Sequence, residues 1–212
     1  MNDLVVPEVD DFAYSFNHKT GYLWVFGGYL NGLKSNIFFR IDVLKRLIEV
    51  ITPNTPPSYP DASKVPSQRA ASRMIWSPTQ QAFYLFGGLS MLNDTLNDMW
   101  KFSVASMQWE PVIQRGTIPE PRCGHSFNFH NEKAFLFGGL KEVTQESNET
   151  FKFDLAFHTW EEIGSSVERT PTPDRLLENS VIGRGGRVSS TSVSRVETPM
   201  KARPGVSCTT LD

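Results

Sequence analysis

Few residues of this 212-residue chain could do chemistry, and their spacing argues against most of what they could do. Four histidines (His18, His125, His130 and His158) and two cysteines (Cys123 and Cys208) are the whole supply of imidazole and thiol ligands. The cysteines stand 85 residues apart, a spacing that makes neither a zinc site nor a disulfide framework. Nothing in the histidine spacing makes those side chains converge. We therefore expect no metal, no cofactor and cysteine usage suited to a reducing compartment. Asn93 and Asn148 each open an Asn-x-Thr sequon, and without a secretory leader both read as incidental. Arg187 stands three residues before Ser190, a spacing basophilic kinases use, within a basic, serine-rich run whose simpler reading is an unstructured tail.

The net charge of −2 supplies no global basic field for nucleic acid or an anionic membrane. The N-terminus, MNDLVVPEVDDF, lacks the basic and apolar regions of a signal peptide, and no apolar run reaches the roughly 18 residues of a membrane helix. The expectation is a soluble, cytoplasmic protein, with the nucleus left open, that binds neither nucleic acid nor membrane.

The elements behind these residues repeat. Glycine pairs stand at Gly27-Gly28, Gly87-Gly88 and Gly138-Gly139, each after an apolar run: YLWVF, FYLF and AFLF. Asn36, Asn97 and Asn148 follow each pair at eight or nine residues. Then come an aromatic (Phe39, Trp100, Phe151), a base (Arg40, Lys101, Lys152), and later Ile48, Trp109 or Trp160, each just before an acid (Glu49, Glu110, Glu161). Upstream, Ser15 and Ser126 both stand twelve residues before their glycine pair, which aligns DFAYSFNH with RCGHSFNF.

Each copy reads as four short strands. In FKFDLAF the residues Phe151, Phe153 and Leu155 share one face, the period-two pattern of a strand. Units that pack face to face bury their second strand on both sides, so that strand is a continuous apolar run. Leaving it sharply needs backbone at positive φ, or room for a close neighbour, and glycine supplies both. Trp109 and Trp160 then cover the faces between units.

These residues resemble the kelch repeat, whose pattern is Arg-x-x-His-Ser, an apolar strand ending in Gly-Gly, an Asn, an aromatic strand and a Trp. The third copy carries nearly all of it: Arg122, His125, Ser126, Gly138, Gly139, Asn148, Phe153 and Trp160. The second copy lacks the His, and the first lacks the Arg and the Trp. The resemblance implies an all-β, partial kelch-type β-propeller of three four-stranded antiparallel blades, at about 11–51, 69–113 and 122–163, after a lead of residues 1–10. A proline-rich loop spans 52–68. Propellers have typically four to eight blades, and no fourth copy follows. The tail, 165–212, has no aromatic residue and is expected to be disordered.

The resemblance implies a non-catalytic protein-interaction scaffold. Its candidate partner-binding loops follow the glycine pairs: Tyr29, Asn31 and Lys34; Met91, Asn93 and Asp94; Lys141, Glu142 and Glu146. They differ from copy to copy while the strands agree, as binding loops on a rigid frame do. Two alternatives stand beside it. One is an oxidase- or lyase-like enzyme at a propeller mouth, although the Tyr–Cys pair and two-His site of copper oxidases on related propellers are not visible. The other is a truncated, non-functional fragment of a larger kelch protein. Three blades cannot close a ring, so the outer faces of blades one and three are expected to be apolar, with Phe151, Phe153 and Trp160 exposed on the last. Self-association, or completion by another chain of unknown identity, would cover them.

Overall fold

The computed structural model describes residues 7–52, 65–142 and 145–164, and the expected disordered tail lies outside them. Among the described residues there is no helix, so none is long and apolar enough to cross a membrane. Three sheets, each built on four antiparallel strands, carry the fold. Blade one is β2 (Ala13–Asn17), β3 (Tyr22–Phe26), β6 (Phe38–Asp42) and β7 (Leu47–Val50), in chain order. Blade two is β9 (Arg73–Ser77), β10 (Ala82–Ser90), β11 (Thr95–Ser103) and β12 (Gln108–Pro111), and blade three is β14 (Ser126–His130), β15 (Lys133–Phe137), β18 (Thr150–Asp154) and β19 (Thr159–Ile163). Short strands β1 (Val9–Asp10), β4 (Tyr29–Leu30) and β5 (Leu33–Lys34) form a separate three-stranded sheet, and β8 (Arg69–Ala70) edges blade two. Strand β13 (Arg115–Gly116) runs parallel to β19 at the edge of blade three, and β16 (Leu140–Glu142) and β17 (Gln145–Glu146) form a separate two-stranded hairpin.

Local chemistry sets the turns. Asp42 Oδ1 accepts from Leu44 N and Lys45 N at 3.1 and 2.9 Å, and Asp154 Oδ1 accepts from Ala156 N and Phe157 N at 2.9 and 3.1 Å. These Asx turns account for the Asp that ends the third strand in two of the copies. Each of the three turns closes on a left-handed residue, Arg46, Met107 or His158.

The first hairpin differs between copies and corrects the alignment of Ser15 with Ser126. Blade one joins its first two strands through residues 18–21, whereas blade three uses the two-residue turn Asn131-Glu132, both at positive φ. Ser126 therefore faces Phe137, while Ser15 faces Trp24 and Ala13 takes the place opposite Phe26. Counting back from the glycines carried the loop difference into the match.

Alternation on β10 splits the core. Phe83 and Leu85 join Trp24, Phe26, Phe38 and Trp109 in the cluster between blades one and two. Tyr84 and Phe86 join Leu136, Phe153 and Trp160 in the cluster between blades two and three. From Ala82 to Phe86 every side chain is inaccessible to solvent, as expected for a strand covered on both faces. Trp109 packs on Phe26 and Phe38 with ring centroids 5.4 and 5.1 Å apart, and Trp160 packs on Phe86 at 5.1 Å.

The outer face of blade one is apolar as expected, carrying Tyr14, Phe16, Ile41 and Val50, whereas that of blade three differs from expectation. Phe151, Phe153 and Trp160 are buried against blade two, not exposed. They sit on the register positions opposite Leu136 and Ala134, the face turned toward the preceding blade. The free face of blade three carries Phe135, Phe137 and Ile163 beside the ion pairs Lys133–Asp154 (2.7 Å) and Lys152–Glu161 (2.8 Å), so it is mixed and not apolar.

Candidate functional site

The glycine pairs are where one blade grips the next. All six glycines have positive φ, and a Cβ at Gly87 would lie 2.6 Å from the Arg122 carbonyl oxygen of the following blade. At Gly27 the corresponding atom is the Arg69 carbonyl oxygen, also at 2.6 Å. The second glycine of each pair meets its own blade instead: Gly88 the Ala70 carbonyl at 2.8 Å, Gly139 the Cys123 carbonyl at 2.7 Å. The first glycine leaves room for a neighbouring blade, and the second for the strand edge of its own.

Arg69 and Arg122 clamp the base of the loops. Arg69 forks onto Asp98 at 2.6 and 2.8 Å and donates to the Gly87 carbonyl at 3.2 Å. Arg122 donates to Glu149 at 2.8 Å and to the Gly138 carbonyl at 3.1 Å. Both side chains are fully buried, and a guanidinium whose N–H groups reach several acceptors is the side chain that tolerates this. Burial would push the Glu149 carboxyl up, but hydrogen bonds from Lys141, Arg122 and Ser147 outweigh it and hold it at about 2. Acids Asp98 and Glu149 were missed in the sequence. The signal was there: they follow Asn97 and Asn148, whereas Ile37 follows Asn36 in the copy that also lacks the Arg.

His125 is 1% exposed, lies edge-on to Phe86 and Phe127 at 5.5 and 6.2 Å, and among the described residues has no hydrogen-bond partner on either ring nitrogen. Burial first, then Arg73 and Arg122, push its pKa down to about 3. It is a neutral packing residue. Ser72 occupies the corresponding place beside Gly88. The repeated base and acid prove to be partners across neighbouring strands: Arg40–Glu49 at 2.6 Å, Lys101–Glu110 at 3.3 Å and Lys152–Glu161 at 2.8 Å. Asn36 and Asn97 donate to the carbonyls of Pro66 and Pro119, three residues before Arg69 and Arg122.

Above this base the loops touch one another. Lys34 donates to Asn93 across the first junction, and Thr95 donates to the Lys141 carbonyl at 2.7 Å across the second. Lys34 is buried, and Lys141 is held between Glu120 and Glu149 at 2.5 and 2.7 Å, so both work inside the molecule. Those hydrogen bonds raise the Lys141 ammonium above its usual range. Asn31, Met91, Asn93, Asp94, Glu142 and Glu146 are exposed, while Tyr29 is half-buried. The most exposed apolar tips are Leu33 (67%) and Leu92 (83%), which the copy-by-copy comparison had not singled out.

A second concavity, a cleft of about 520 Å³, runs across the first strands of the three sheets. It is lined by Phe16, Met74, Trp76, Phe127 and Phe129, with His18 and Lys19 beside them. Among the described residues no group of three His, Cys, Asp or Glu side chains could hold a metal ion.

Three stacked four-stranded sheets, each left through a glycine pair and locked to the next by a tryptophan or aromatic face, define a propeller-type repeat protein. The model of the KLHDC2/KLHL20/DRC7 Kelch-repeats domain matches residues 13–189, and the chain belongs to the kelch-repeat family. It is 26% identical to Kelch domain-containing protein 3 of Bos taurus over 158 residues, 72% of this chain and 40% of that protein. It is 34% identical to Host cell factor 2 of Homo sapiens over 71 residues, 34% of this chain and 9% of that protein. Similarity to Tip elongation aberrant protein 1 of Schizosaccharomyces pombe is 24% over 98 residues, 45% of this chain and 8% of that protein. The chain therefore spans less than half the length of each of these relatives.

Proposed function

We propose that the chain is a non-catalytic protein-interaction scaffold, working in the cytoplasm, whose partner surface is the row of loops after the glycine pairs. The observation that carries this is continuity: loops from three blades join through Lys34–Asn93 and Thr95–Lys141 into one rim. That rim is tipped by Leu33, Met91 and Leu92 and ends in the acids Glu142 and Glu146. Variable loops on a rigid frame suit recognition, and exposed leucines and a methionine on such loops favour a partner with an apolar contact. Membership of the kelch family supports a protein partner. The end faces of blades one and three support a second contact, completion of the stack by another chain.

The test is affinity capture with the full chain against a variant carrying Leu33→Ser, Met91→Ser, Leu92→Ser and Glu142→Lys. These exposed positions leave the Arg69 and Arg122 clamps intact. Proteins captured by the wild type should be lost from the variant, while its thermal unfolding is unchanged. Capture of the same set by both would remove the rim from consideration.

A further inference from the structure

The hairpin that follows β2 is set by one side chain. Asn17 Oδ1 accepts from Lys19 N at 3.1 Å and from Thr20 N at 3.4 Å, and Gly21 N–H donates to Asn17 O at 2.9 Å. This Asx turn fixes the backbone of Lys19, and the neighbouring His18 ring lies edge-on to Phe16 at 5.0 Å. Lys19 is exposed and makes no ion pair among the described residues. Every other described lysine has a partner: Lys34 has Asn93, Lys45 has Asp42, Lys101 has Glu110, Lys133 has Asp154, Lys141 has Glu120 and Glu149, and Lys152 has Glu161.

That ammonium stands at the cleft of about 520 Å³ across the first strands. The cleft floor is locked by the core. Trp76 packs on Phe83 at 4.6 Å, Phe127 lies 6.1 Å from Phe86, and Met74 is buried in the cluster between blades one and two. Phe129 adds a further ring, and Ser15 and Asn128 add a hydroxyl and an amide. Among the described residues no acid lines the cleft. Glu132, in the blade-three hairpin, is outside the lining and accepts from Thr79. The lining comes from the inner strands of three adjacent blades and needs neither end face. Small-molecule sites are concavities of about 300–1,000 Å³, mostly apolar, with a few polar groups that fix orientation. A cationic edge with no acid opposite it sets the sign of the charge that fits.

We propose that this cleft binds a small planar aromatic carboxylate, its rings on Trp76, Phe127 and Phe129 and its carboxylate at Lys19. Ser15 and Asn128 supply the neutral donors. Apolar burial provides most of the affinity, and the ammonium selects the acid over an uncharged analogue. The Lys19 hairpin lies at the opposite end of β3 from Gly27, so the site is separate from the loop rim.

Isothermal titration calorimetry with the full chain tests this, using 2-naphthoate as probe and uncharged 2-naphthalenemethanol beside it. Wild type should bind the acid at least about fivefold more tightly than the alcohol, and the gap should narrow as salt is raised. Lys19→Gln, at an exposed turn position, should weaken the acid by about fivefold and leave the alcohol unchanged. Asn128→Asp puts a carboxylate into the cleft from an exposed strand position and should weaken the acid at least about tenfold. Ser15→Asp replaces it if circular dichroism shows that Asn128→Asp disturbs the fold. Absence of 2-naphthoate binding by wild type, equal affinity for acid and alcohol, or an acid affinity indifferent to Lys19→Gln overturns the proposal. Indifference to the aspartate variant puts the probe elsewhere and overturns it too. The chain with the four rim substitutions should bind 2-naphthoate as wild type does, and a loss there would place the probe on the rim and sink the site.

Discussion

A methyl group added at Gly87 and one added at Gly138 would meet different surroundings, although the two residues hold the same place in their copies. Both backbones are left-handed, at φ 63° and 69°. An alanine there costs roughly 1–2 kcal/mol from conformation alone. At Gly87 the methyl also meets Arg122 O at 2.6 Å, whereas at Gly138 its nearest atom is Ser147 O at 3.2 Å. Gly87→Ala should therefore cost at least about 3 kcal/mol, and Gly138→Ala about 1–2 kcal/mol, measured by urea unfolding at low protein concentration. His125 gives a pH signature. Its folded pKa of about 3 lies below the ordinary 6.5, so the unfolded chain takes up a proton that the folded chain refuses. Stability contributed by the neutral ring is present above pH 6.5 and is lost as pH falls toward 3, by about 1.4 kcal/mol per unit. His125→Phe, which keeps a ring between Phe86 and Phe127, should flatten the difference between unfolding at pH 7 and at pH 5.

At the scale of the element, the buried Arg122 is the main support of its loop. Arg122→Met would leave the Gly138 carbonyl and Glu149 without their guanidinium partner. We expect a loss of roughly 2–4 kcal/mol, and faster hydrogen exchange in the Leu140–Glu142 strand. Much of this scale was legible. The glycine pairs, the aromatic strands and the covering tryptophans sit as their spacing requires, because strand alternation and positive-φ turns leave strong marks in sequence. The ion pairs Arg40–Glu49, Lys101–Glu110 and Lys152–Glu161 were visible as two repeated features but not as partners, since registers are not written in one strand alone. The offset at Ser15 arose in a hairpin whose two lengths give equally regular patterns around it. The path of Arg115-Gly116, parallel to Trp160 at the edge of blade three, leaves no mark in a connector of ordinary composition. The roles of Lys34 and Lys141 inside the rim depend on neighbouring loops that are far away in the chain.

For the whole molecule, the middle blade is the keystone, because β10 belongs to both clusters. Phe83→Ala and Phe86→Ala open cavities on opposite faces of one strand, and each should cost about 3–5 kcal/mol. Phe137→Ala, at an end face, should cost under about 1 kcal/mol in the dissociated chain. Calorimetry at low concentration would separate these. The expectation that Phe151, Phe153 and Trp160 lie on the free face failed for a reason tied to this scale. Which side of a terminal strand is covered depends on which neighbour is present, and the sequence of one blade looks the same in either case.

The contacts from Lys34 to Asn93 and from Thr95 to the Lys141 carbonyl tie three loops into one mechanical series. A partner that stilled one loop of the proposed rim would lower the entropy its neighbours still had to lose, so the rim would close as one jaw and not as three fingers. Affinity for a partner spanning all three loops would then exceed what the separate contacts supply. Thr95→Val cuts the second of the two links in the series without touching an exposed tip. Hydrogen exchange should quicken in the loops on both sides of the cut, and binding of a long partner should weaken more than binding of a short one.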